Sequence, residues 1–117
     1  MKRIAIMLSV ALALTFAPAV FAQSFSAVLT GANEVPAADP DGSGIAVVTI
    51  DGTTVNYSVL VQGIGTPTVA HIHRGAIGVS GPPVLDLNAG TLANGTVSGV
   101  AQALIDEIVA NPTGFYV

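Results

Sequence analysis

Residues 44–61, GIAVVTIDGTTVNYSVLV, decide the fold class that the sequence predicts. The stretch is rich in β-branched residues. Near its middle stands Asp51-Gly52, a pair that tolerates the positive φ angles of a two-residue hairpin turn. After this turn apolar and polar residues alternate, which places one set of side chains on a single face of a strand. The apolar set is Val55, Tyr57, Val59 and Val61. The pattern predicts a hairpin with one buried face and one partly wet face.

Short strands and turns continue on both sides of this hairpin. Further strand patterns occupy residues 25–30, 69–74, 84–87 and 113–117. Asn94-Gly95 is a second hairpin signal. Residues 101–110 instead carry apolar side chains at helical spacing, and Asn111-Pro112 ends that helix. Many short strands separated by turns are typical of antiparallel sandwiches and barrels. We therefore predict an all-β antiparallel β-sandwich with one short helix near 101–110.

The first 22 residues have the three-part layout of a secretory signal peptide. Lys2 and Arg3 precede an uncharged, largely apolar run, and the segment ends in Val20-Phe21-Ala22, which favours cleavage after Ala22. The alternative is an uncleaved membrane anchor, but a run of about 17 residues is at the lower limit for crossing a bilayer. The sequence therefore predicts an extracytoplasmic protein, periplasmic or secreted, with no stable membrane insertion after cleavage.

Charge and composition exclude several classes of function. The 117 residues allow one domain, and the net charge of −4 becomes −6 once Lys2 and Arg3 are removed. Arg74 is then the one remaining basic side chain, which is too few to neutralise the phosphates of a nucleic acid. The absence of cysteine excludes disulfides, thiolate metal sites and a cysteine nucleophile. The sequence also contains no Gly-x-Ser-x-Gly elbow and no glycine-rich phosphate loop.

The richest chemistry lies in His71-Ile72-His73-Arg74-Gly75. Two histidines at i and i+2 on a strand project from the same face, so their ring nitrogens could converge on a copper or zinc ion. Because the chain has no other His and no Cys, further ligands would have to be carboxylates, and the candidates are Glu34, Asp39, Asp41 and Asp86. The alternative, which we favour, is structural: the pair hydrogen-bonds carbonyls of the glycine-rich loop that follows, and Arg74 pairs with a carboxylate.

Several motifs in order resemble the CHRD domain, which is named after chordin and found in many bacterial secreted proteins. They are Leu29 to Pro36 with its Glu-Val-Pro, Gly42-Ser43-Gly44, Ala70 to Gly75, Gly81 to Val84, Asn111-Pro112 and Phe115 to Val117. The resemblance covers Phe25 to Val117. It assigns residues 23–117 to one CHRD domain, with Glu34, Pro36, His71, His73, Arg74 and Gly75 as family-motif residues. In the family the pattern continues past Val117, so the resemblance implies that this chain lacks the C-terminal strands.

The CHRD pattern is itself similar to copper-zinc superoxide dismutase, where a His-x-His on a strand ligates copper. This resemblance implies a Greek-key sandwich of the superoxide-dismutase-like or immunoglobulin-like type, with His71 and His73 at the positions of two copper ligands. The bridging histidine, the zinc ligands and the disulfide have no counterpart here. We therefore expect no enzymatic activity, and a binding or structural role with a protein or cell-surface partner. A copper- or zinc-binding domain is the alternative, and dismutase-like redox activity is a distant third.

Overall fold

The computed structural model of the chain describes residues 22–31 and 41–117. The predicted signal peptide, apart from Ala22, lies outside the described residues, and so do Glu34, Pro36 and Asp39. Within the described part, no helix has both the length and the apolar character needed to cross a membrane.

Seven strands and one α-helix form in the described ranges. The strands are β1 (Gln23–Thr30), β2 (Ser43–Asp51), β3 (Thr54–Gln62), β4 (Ala70–Arg74), β5 (Pro83–Leu87), β6 (Gly95–Val97) and β7 (Phe115–Tyr116), and the helix is α1 (Gln102–Ala110). Short 3-10 turns at Ala89–Thr91 and Pro112–Gly114 precede β6 and β7. The predicted helix is confirmed, and its C-terminal boundary falls at Asn111-Pro112 as expected.

The strands form two antiparallel sheets. The first sheet has the order β1-β2-β3-β6, and the second has the order β5-β4-β7. The chain crosses to the second sheet after β3 and returns after β5 to place β6 beside β3. The predicted all-β sandwich with one short helix is therefore confirmed.

The first hairpin forms where the sequence predicts it, one residue later than the Asp51-Gly52 pair suggests. Asp51 is paired with Thr54, so the two loop residues are Gly52 and Thr53. Gly52 has a φ of 60°, a conformation that side chains with a Cβ rarely adopt. Glycine at the first position of a two-residue loop suits the right-handed twist of the strands.

The prediction of a second hairpin at Asn94-Gly95 is wrong. Gly95 begins β6 and is paired with Tyr57 of β3 in the first sheet, whereas the preceding strand, β5, belongs to the second sheet. A Cβ atom at Gly95 would overlap the Tyr57 ring. Glycine is therefore required here because an aromatic ring approaches the backbone closely, and not because a tight turn needs a positive φ angle.

The core has two adjoining parts. Between the sheets, Tyr57 and Val59 of the first sheet pack in one buried cluster with Ile72 and Leu87 of the second. At the end of the sandwich near the β2–β3 turn, the apolar face of α1 covers the strands. That second cluster contains Ile50, Val55, Val100, Ile105 and Ile108. The helix therefore closes one end of the sandwich and fixes the position of its polar face beside β4.

Candidate functional site

The two histidines lie side by side on the outer face of the second sheet. Ile72 between them is buried in the core, so His71 and His73 project the opposite way, as the strand pattern predicts. Their ring centroids are 5.5 Å apart with the planes at 86°. Asp86 of β5 and Tyr116 of β7 flank them on the same face. We refer to these four residues as the outer histidine face.

Asp86 is the acidic candidate that the fold brings to the histidine pair. It is paired with His71 across β4 and β5, and its Oδ1 lies 3.3 Å from His71 Nε2. This contact is an ion pair only while His71 is protonated, and it is weak because the Asp86 side chain is 91% exposed. Asp41, another candidate, precedes β2 at the end of the first sheet. Glu34 and Asp39 lie outside the described residues.

His73 is held by the loop that joins β4 to β5. Its Nδ1 lies 2.9 Å from the carbonyl oxygen of Gly81. A carbonyl oxygen can only accept, so Nδ1 must carry the proton and donate it, which leaves the Nε2 lone pair free in the neutral ring. The ring also stacks on Tyr116, with centroids 4.9 Å apart and planes at 9°. His73 thus makes the loop-carbonyl contact that the structural interpretation predicts for both histidines, whereas His71 contacts Asp86 instead.

Tyr116 is a site residue that the sequence analysis did not single out, because it appeared there only as part of the strand pattern at residues 113–117. Its hydroxyl accepts a 3.0 Å hydrogen bond from the Gly81 N–H, so the histidine and the tyrosine hold the two polar backbone groups of one glycine. A Cβ at Gly81 would overlap the carbonyl group of Arg74. The sequence feature that marks this part of the loop is the Gly-Pro-Pro motif at residues 81–83.

Arg74 lies at the rim of the same strand and points to the helix. Its Nε donates a 2.7 Å hydrogen bond to Oε1 of Glu107 in α1, and its Nη2 donates a second 2.7 Å hydrogen bond to Oε2 of the same carboxylate. These hydrogen bonds, with a smaller Coulombic contribution, raise the pKa of Arg74 and lower the pKa of Glu107. The guanidinium also lies 5.9 Å from the centroid of the Phe115 ring. The expected carboxylate partner of Arg74 is confirmed, although the sequence did not identify which carboxylate it is.

An open groove borders the outer histidine face on the β5 side. It has a volume of about 410 Å³, and His71 and Asp86 form part of its wall. Most of the remaining lining comes from residues just before β4 and from the turn after β5. Those residues include Thr68, Val69, Asn88, Ala89 and Gly90.

The outer histidine face lies in a domain whose sequence matches a known family. The family model of the CHRD domain matches residues 25–117. The chain belongs to the CHRD domain family. The match spans both sheets and the helix, so the histidine pair lies within the CHRD domain itself. No curated protein and no solved structure matches the chain.

Close packing accounts for one further motif residue of this CHRD domain. A Cβ built on Gly75 would lie 2.9 Å from the carbonyl oxygen of Val79 and 3.1 Å from a ring carbon of Tyr116. The Gly75 N–H donates to the carbonyl of Gly114, just before β7. The glycine after the His-x-His-Arg sequence therefore lets β7 and the β4–β5 loop approach β4 together.

The donor set of this face does not complete a metal site in the CHRD domain. Among the described residues, no group of three or more His, Cys, Asp or Glu side chains could hold a metal ion. His71 and His73 fit at most a two-imidazole site in which solvent or another molecule supplies the remaining ligands. A copper-zinc centre of the superoxide dismutase type does not fit this donor set, since structural zinc sites use four protein ligands and catalytic ones three.

Proposed function

We propose that this CHRD protein acts outside the cytoplasm in a non-enzymatic binding or structural role. CHRD domains occur in extracellular proteins, and the predicted signal peptide at residues 1–22 agrees with export. The main observation behind the proposed non-enzymatic role is that His73 makes structural contacts within the fold. Its Nδ1 is hydrogen-bonded to the Gly81 carbonyl, and its ring is stacked on Tyr116.

The other reactive groups beside His73 support the same proposal. Arg74 uses two of its donors on Glu107, so its charge is paired across the rim of the sandwich. His71 contacts the highly exposed carboxylate of Asp86, and a contact of this kind is weak in water. General acid–base catalysis requires a group that is positioned against a bound substrate, with a pKa tuned to the task. These residues instead join β4 to β5, β7 and α1.

Export and inactivity can be tested on the same preparation. The protein is expressed from its full gene, fractionated, and its N-terminus is sequenced. We expect it in the extracytoplasmic fraction with Gln23 as the first residue. The purified protein, supplied with copper and zinc, should dismutate superoxide no faster than the H71A/H73A double variant with the same ions. Retention in the cytoplasm would overturn the localisation, and histidine-dependent dismutation would overturn the non-enzymatic role.

Metal binding is the second candidate, and one observation favours it. The hydrogen bond to Gly81 fixes the His73 tautomer with a free Nε2 lone pair, and a second imidazole lies on the same face. In metal sites, a hydrogen bond from the second ring nitrogen to a carbonyl orients the ligating histidine in this way. Copper and zinc are among the ions that imidazole ligands suit.

Calorimetric titration separates this candidate from the first. If His71 and His73 form a metal site, copper or zinc binds the protein with one-to-one stoichiometry, and H71A/H73A abolishes the heat. The E107Q variant is the matched control, because it removes a charge beside β4 without touching either imidazole. If the leading proposal is right, the wild-type protein and the double variant give the same weak, non-saturating heats.

A further inference from the structure

The outer face of the first sheet, opposite the outer histidine face, carries a row of exposed aliphatic side chains. Val28 of β1 is paired with Ile45 of β2, which is paired with Leu60 of β3. Paired residues of neighbouring strands share a face, and the three side chains are 72%, 56% and 59% exposed in that order. Val47, also on this face, is 38% exposed. We call this outer surface of β1, β2 and β3 the neutral face.

Charge is nearly absent from the neutral face. Its other outward positions are Ser, Thr, Asn and Gln, apart from Asp51 at the end of β2. The whole chain has a net charge of −4, so most of its surface repels a second copy. Two copies can therefore approach with the least repulsion when their neutral faces meet. Burying the exposed aliphatic row would supply the driving force.

The order of side chains along the row is compatible with two-fold symmetry. Consider a two-fold axis that runs parallel to the strands over β2. It places Ile45 opposite Ile45 of a second copy, and Val28 opposite that copy's Leu60. Such an isologous contact uses one surface patch on both copies, which is the commonest symmetry of homodimers. Sheets packed face to face keep their strands within about 30° of each other, which this arrangement allows.

We propose that the protein self-associates into a two-fold dimer through the neutral face, with Ile45 at its centre. This inference concerns the sheet opposite the histidines and stands whether or not His71 and His73 bind a metal. Three long strands about 4.8 Å apart and about 28 Å long cover roughly 400 Å² per copy. The dimer therefore buries about 800 Å² in total, which is characteristic of weak, concentration-dependent association.

Sedimentation equilibrium over a concentration series tests this dimer. We expect wild-type protein to show a monomer–dimer equilibrium, and I45E to raise its dissociation constant at least about tenfold, since two unpaired carboxylates would meet in an apolar contact. The matched control is I77E, because Ile77 is 95% exposed in the β4–β5 loop. It should change the dissociation constant less than about twofold. Thermal melts of both variants establish that they remain folded.

Salt dependence and a label supply independent measurements. In the proposed dimer the two Asp51 side chains face each other across the axis at the same end of β2, so added salt and the D51N variant should both tighten association. The chain has no cysteine, so a nitroxide on T49C is unique. That label should give a short distance between copies, whereas a label on I77C in the other sheet's loop should give a much longer one. A strictly monomeric wild-type protein, or a dimer that I45E and I77E weaken equally or not at all, would overturn the proposal.

Discussion

Arg74 of β4 and Glu107 of α1 are joined by two hydrogen bonds of 2.7 Å each, which link the second sheet to the helix that closes the sandwich. The fork-to-carboxylate geometry fixes both side chains in one orientation. The pair lies over the Phe115 ring, next to the strand that carries Tyr116. The contact therefore lies where β4, β7 and α1 meet.

Removal of either partner should weaken this junction. We expect R74A and E107Q each to lower the unfolding midpoint by a few degrees, and the double variant to lose less than the sum because the two residues interact directly. A thermal double-mutant cycle followed by circular dichroism measures the coupling. D106N is the matched control, because Asp106 bonds only to Gln102 within the helix. Additive losses would contradict a direct contribution of the pair.

The same pair predicts how stability depends on acid. The pKa of Glu107 is lowered from its ordinary value of 4.5 in the folded protein, whereas Arg74 stays protonated throughout the acid range. The contribution of the ion pair is thus fully present above about pH 4.5 and is lost as the pH falls through the lowered pKa of Glu107. Midpoints of wild type and E107Q should differ at neutral pH and converge once the pH has fallen well below 4.5, through the lowered pKa of Glu107. A constant difference across this range would contradict the assignment.

The hydroxyl of Tyr116 should stabilise the β4–β5 loop. Y116F keeps the stacking on His73 but removes the acceptor for the Gly81 N–H, so we expect a loss of about 0.5–1.5 kcal/mol in the free energy of unfolding. Amide hydrogen exchange at Gly81 should accelerate, while exchange at Asn88, whose N–H donates to Tyr57, should follow only the global change. Unchanged exchange at Gly81 would show that the tyrosine hydroxyl does not hold the loop.

Close packing at Gly95 can be tested with a single methyl group. G95A should destabilise the protein by about 1–3 kcal/mol, because the new Cβ must displace the buried Tyr57 ring. The matched control is G65A, since a Cβ there has no neighbour within 4 Å and the backbone has no positive φ. It should change stability by less than about 0.5 kcal/mol. Chemical denaturation of both variants measures the difference, and equal effects would contradict the packing argument.

Local patterns in the sequence predicted the features that depend on neighbouring residues. Alternation was enough to place Val55 of β3 and Ile72 of β4 on the buried faces of their strands and His73 on the opposite face of β4. Helical spacing identified the buried side of α1. The hairpin prediction at Asn94-Gly95 failed because glycine is needed there to make room for the ring of Tyr57, which is 38 positions earlier in the sequence. Tyr116 and Glu107 could not be selected as partners of His73 and Arg74, because only the docking of β7 and α1 against β4 brings them together.

We infer that His71 and His73 serve the architecture of the second sheet and do not form a metal centre. The most direct test is the unfolding midpoint of wild type and H71A/H73A, each measured with and without copper or zinc. A ligand that binds the folded state raises this midpoint. We expect the double variant to melt lower than wild type without metal, and we expect neither ion to raise the wild-type midpoint. An ion that stabilises wild type but not the double variant would contradict it.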